Sequence, residues 1–89
     1  MKTACGDWGI IMPTVLRVGP YALLFFSSDQ KEPVHIHVQR NRLIAKYWLD
    51  PIRLARNHGF PPHEVNRIER LVHENREFLL EAWHDYFGT

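Results

Sequence analysis

Apolar and polar positions along the chain change period several times. Thr14–Val18 is rich in β-branched residues and closes on Gly19-Pro20, a turn signal. Tyr21–Ser28 is a mostly apolar run ended by two serines, and its length and aromatic content predict a central strand covered on both faces. Asp29–Pro33 is a polar loop, in which Pro33 keeps the backbone extended and disfavours helix at Glu32. Beyond it the alternation is strict: Val34, Ile36 and Val38 fall on one face of a strand, His35, His37 and Gln39 on the other. Arg40-Asn41-Arg42 reads as a turn, with Asn41 suited to a positive φ. Leu43–Leu49 is the fourth strand. A turn at Arg40-Asn41 sets His35 across from Lys46; a turn at Asn41-Arg42 sets His37 against Lys46 and His35 against Trp48. Both registers leave Lys46 and Trp48 on the histidine face.

The second half has a helical pattern. Asp50 can cap a helix that opens with Pro51, and Gly59 can end it, which predicts a short helix over Pro51–His58. Phe60-Pro61-Pro62 then introduces a long helix. Its apolar residues, from Val65, Ile68, Leu71 and Val72 to Phe78, Leu79, Trp83 and Phe87, recur at three- and four-residue steps over about six turns. The expected architecture is therefore α+β: a four-stranded antiparallel sheet of two hairpins, followed by a short and a long C-terminal helix packed on one face. Residues 1–11 are expected to form a flexible N-terminal extension and residues 12–89 a single α+β domain. Trp83, Tyr86 and Phe87 crowd the end of the long helix, so a partner or homo-oligomer contact is expected there or on the exposed sheet face.

Composition narrows the function classes. A chain of 89 residues with 45% hydrophobic residues makes one folded domain and leaves no room for a second. The net charge of +1 lacks the concentrated basic footprint of a strong, sequence-independent nucleic-acid binder. Cys5 is the single cysteine, which excludes an internal disulfide or a cysteine-based zinc site and fits a reducing cytoplasm. The longest apolar run, Ala22–Phe26, is far too short to span a membrane.

Chemistry concentrates between Asp29 and Gln39. His35 and His37, with Glu32 or Asp29 as the third ligand, are candidate ligands for a divalent metal of the zinc or iron type. His35, His37, Glu32 and Lys46 are candidate catalytic residues: imidazoles for proton transfer, a carboxylate at the strand entry, and an amine for phosphate charge. No cofactor-binding motif beyond this is present. His35–Gln39 also resembles the short histidine pattern of nucleotide-handling, histidine-triad-like proteins, although no phosphate-binding helix N-terminus follows the strand. The same side chains with Trp48 would make a mixed protein-binding patch, and an antiparallel sheet also leaves one face in water without any function. His58 and His63 flank a chain break and read as exposed residues, while Arg53 and Arg56 read as part of a small basic patch diluted by glutamates.

Taken together, these residues resemble a family of small bacterial proteins, the domain of unknown function numbered four-one-six-zero. The similarity runs from Met12, Pro13 and Arg17 through Ser27, Asp29, Glu32, Pro33, His35, His37 and Val38. It continues with Ala45, Lys46, Trp48, Leu49 and Pro51, and ends on Arg67, Ile68, Leu71, Val72, Phe78, Leu79 and Trp83. The E-P-x-H-x-H-V segment is its most specific part. The resemblance implies one half of a toxin–antitoxin-like two-gene module, the toxin half, acting with a small cognate partner protein in the cytoplasm. The alternative is a small hydrolase or nucleotide- or RNA-directed enzyme using the His35/His37 pair, with or without a metal.

Overall fold

The structure is a computed structural model and describes residues Thr14–Gly88. The expected extension over Met1–Ile11, and the start at Met12-Pro13, lie outside the described residues.

Among the described residues five strands form one antiparallel sheet in sequence order: β1 (Thr14–Val18), β2 (Tyr21–Leu24), β3 (His35–Arg40), β4 (Leu43–Leu49) and β5 (Ile52–His58). Two helices follow, α1 (Pro62–Glu74) and α2 (Arg76–Phe87). The α+β class, the meander and β4 agree with the sequence pattern. Asn41 has φ +56° in the β3–β4 turn, and the register is the one that pairs His37 with Lys46 and His35 with Trp48.

Three expectations are corrected. Pro51–His58 is not a short helix. The Asp50-Pro51 peptide is cis and belongs to the turn between β4 and β5, and the residues after it pair along the free edge of β4. Leu, Ala and Arg suit a helix, but propensity is worth only tenths of a kcal/mol per residue, and a ladder of main-chain hydrogen bonds outweighs it. The sheet therefore has five strands rather than four. The apolar run that opens with Tyr21 leaves the sheet after Leu24, and a short 3-10 helix over Ser27–Lys31 takes the place of the strand's end and much of the polar loop. The long helix is two helices. At Asn75 the side-chain Nδ2 donates to the Leu71 carbonyl at 2.9 Å, satisfying an end of α1 and competing with continuation of the helix.

One sheet face carries Tyr21, Leu23, Ile36, Val38, Ala45, Tyr47 and Leu49, all buried, and they form the core with Phe60, Ile68, Val72 and Leu79. Ile36 and Val38 are buried as the alternation predicts, with Val34 half-buried beside them. α1 is tied to this face by polar contacts at its first turns. Glu64 accepts from the Tyr21 hydroxyl at 2.7 Å and from both Nε and Nη2 of Arg40 at 2.7 and 2.8 Å. The Tyr47 hydroxyl donates to the Val65 carbonyl at 3.0 Å. Burial pushes the Tyr47 phenol up to about 12, whereas the hydrogen bonds from Arg40 and Tyr21 hold Glu64 down at about 2. Asn57 clamps the loop into α1, donating to the Phe60 carbonyl and accepting its N–H, around Gly59 at φ +105°. Among the described residues no helix is long and apolar enough to cross a membrane.

Candidate functional site

The site forms on the other sheet face, where β3 enters from the Ser27–Lys31 turn. Phe26 donates its backbone N–H to Asp29 Oδ2 at 2.7 Å, which fixes the carboxylate over the strand entry. Asp29 Oδ1 lies 3.1 Å from His35 Nε2, and Asp29 Oδ2 lies 3.2 Å from His37 Nε2. One ligand atom from each of the three residues lies within 4.8 Å of the others. Their side chains are buried: Asp29 is 8% exposed, His35 0% and His37 9%.

That burial corrects the picture of a wet histidine face. The two imidazoles do point away from Ile36 and Val38, as alternation requires. Trp83 of α2, however, reaches the end of the sheet and lies 5.2 Å from the His35 ring, centre to centre. Trp48 meets His35 edge-on at 5.6 Å and the His37 ring at 5.1 Å completes the enclosure. Phe26 stacks at a tilt over His37, with centroids 4.3 Å apart. Burial pushes the His37 imidazole below its ordinary value, against an opposing pull from Asp29. At the end of α2, Trp83 is buried, Phe87 half-buried and Tyr86 exposed.

Glu32 and Lys46 border this cluster, with Glu32 Oε1 3.9 Å from His35 Nδ1 and Lys46 across from His37 on β4. They form an ion pair with each other beside it, and the Lys46 hydrogen bond lowers the Glu32 carboxyl. Lys46 also lies 4.6 Å over the Trp48 ring. The sequence-derived catalytic set thus divides into a buried Asp29–His35–His37 group and a more exposed Glu32–Lys46 pair.

A cleft of about 220 Å³ opens next to His37, lined by Phe26, His37, Ile44, Ala45, Lys46, Arg56 and His58. Arg56 and His58, which the sequence reads only as part of a diluted basic patch and as an exposed residue, join the cleft here. They arrive because of an irregularity in β5. Tyr47 pairs with Leu54 but Lys46 pairs with Arg56, so Ala55 is an extra residue, a β-bulge. Were Ala55 paired regularly in the ladder, Leu54, Arg56 and His58 would share a face. With the bulge, Leu54 follows Tyr47, while Arg56 and His58 join Lys46 and Ile44 on the histidine side. The cleft wall is therefore cationic or cationisable at four side chains and aromatic at one.

With fold and site in view, the class is a small α+β protein with a buried carboxylate–imidazole cluster beside a basic cleft. Residues 21–84, well over half of the chain, match the model of a domain of unknown function (DUF4160), and the chain belongs to that family. No curated protein and no solved structure matches it.

Proposed function

We propose that this chain is a phosphoester-directed hydrolase, acting on a nucleotide or RNA, and the toxin half of a toxin–antitoxin-like pair in the cytoplasm. The observation that carries the chemistry is the cleft shared by His37, Lys46, Arg56 and His58. An ammonium and a guanidinium converge there with two imidazoles, which is the donor set for a phosphate group. At about 220 Å³ it falls below the roughly 300–1,000 Å³ of drug-sized pockets, so a phosphate with part of its sugar fits better than a large cofactor. Phe26 at the rim offers a ring on which a base can stack. In this reading Lys46 and Arg56 bind and neutralise the phosphate, and the cluster of Asp29, His35 and His37 activates the attacking water.

The module reading rests on the family resemblance and on exposed apolar side chains, Leu54, Phe78 and Tyr86, that a small cognate protein could cover. One experiment addresses both parts. The chain is expressed inducibly, alone and with the product of the adjacent gene, and the purified protein is incubated with single-stranded RNA and with nucleoside triphosphates. Growth arrest relieved by the neighbour, with cleavage lost in Lys46→Ala/Arg56→Ala, is the expected result. Unchanged cleavage in that variant removes the phosphate site, and the absence of any growth effect removes the toxin assignment.

A further inference from the structure

Asp29, His35 and His37 make a geometry that proton transfer alone does not explain. The Nδ1 atom of His35 lies 2.8 Å from the Pro33 carbonyl oxygen. A carbonyl only accepts, so Nδ1 carries the hydrogen, and in the neutral ring Nε2 is left with a lone pair. That Nε2 is fully buried and makes no hydrogen bond among the described residues. Asp29 Oδ1 is only 3.1 Å away, yet the two atoms make no hydrogen bond. In that tautomer two acceptors face each other in the interior, and the His35 nitrogen is left unsatisfied.

A cation removes the conflict. Two atoms that share a metal at ~2.0–2.2 Å sit about 3.0–3.5 Å apart, each to the side of the other's lone-pair axis. The Asp29–His35 and Asp29–His37 distances of 3.1 and 3.2 Å fall in that range. The outer contacts agree: a metal-bound histidine ordinarily donates its other ring N–H to a carbonyl or carboxylate, as His35 does to Pro33. The Phe26 N–H in turn holds Asp29. We infer that Asp29, His35 Nε2 and His37 Nε2 form a binding site for one divalent cation of the zinc class, with its remaining coordination positions available to water or substrate. Two imidazoles and a single carboxylate disfavour magnesium and calcium, which prefer all-oxygen sets. The inference rests on the site and not on the phosphoester reading, and binding is measured without any substrate.

The test uses the full chain, stripped with a chelator and then titrated with Zn²⁺ against a chromophoric competitor and with Co²⁺ by visible absorption. One equivalent should bind, and the histidine side-chain ¹⁵N resonances of His35 and His37 should move on saturation while those of His63 and His73 stay in place. Affinity should fall at least about tenfold in Asp29→Asn and further in His37→Ala. Circular dichroism checks that both variants fold. If His37→Ala does not fold, Asp29→Asn and the wild-type resonances decide the matter. No stoichiometric binding, or binding that leaves the His35 and His37 resonances unmoved, overturns the site. Binding undiminished in folded Asp29→Asn does so too. A His35 spectrum with both ring nitrogens protonated in the stripped and the zinc-loaded protein would identify an imidazolium–carboxylate pair instead, and would also overturn it.

Discussion

Glu32 occupies the ammonium that the cleft needs, which makes it a test of the anion site at the scale of one side chain. Its carboxylate is half exposed and pairs with Lys46. A phosphate entering the cleft competes for the same donors. Glu32→Gln should therefore tighten phosphoester binding by up to about fivefold, the scale of a surface ion pair of 0–1 kcal/mol. Calorimetric titration with a nucleoside monophosphate reads it. Loss of turnover without tighter binding would instead favour a catalytic role for Glu32. Glu64 carries a second prediction. Its folded pKa of about 2 lies below the unconstrained 4.5, so unfolding takes up a proton as the pH drops. The stabilisation is complete above about 4.5 and is lost as pH falls through that window toward 2. Urea midpoints measured across the window should fall steeply for the wild type and less steeply for Glu64→Gln.

Among the elements, β5 decides how the cleft is furnished. Deleting Ala55 removes the extra residue and sets Arg56 directly after Leu54, so Lys46 still faces Arg56, Ile44 still faces His58, and both basic groups stay on the histidine side. Phosphoester affinity should be retained in that variant, with the mixed sheet and helix signal kept in circular dichroism, whereas Arg56→Ala should lower affinity about tenfold or more, the loss expected for a charged hydrogen bond. The elements also show how far the sequence is legible. The face shared by His35, His37, Lys46 and Trp48 follows from period two on β3 and β4, whatever the register. Asp29 is legible as a neighbour, because a short polar segment feeds the strand directly. Arg56 and His58 are not, since a bulge has no local pattern and Ile52–His58 has helix-compatible composition. Nor is the burial of His35, which comes from Trp83, a residue that helical periodicity assigns to the core stripe without saying which end of the sheet it covers. The break at Asn75 is hidden for a similar reason: the apolar steps continue through it.

For the molecule as a whole, a net charge of +1 means that binding in the cleft is local and not driven by a broad field. If Lys46 and Arg56 neutralise about two phosphates of a single strand, the log–log dependence of affinity on salt should have a slope near −1.4. A much steeper slope in filter-binding assays would point to a larger RNA surface. Among the described residues the sheet is open, with β1 at one edge and β5 at the other. An open edge of seven residues, Ile52–His58, offers unpaired main-chain groups on which another chain could zip, the first step of aggregation. The kink at Ala55 and the charges of Arg53 and Arg56 oppose that, because a straight incoming strand meets a broken ladder and like-signed side chains. The bulge that sets two basic groups on the cleft side thus also works against edge-to-edge joining of copies.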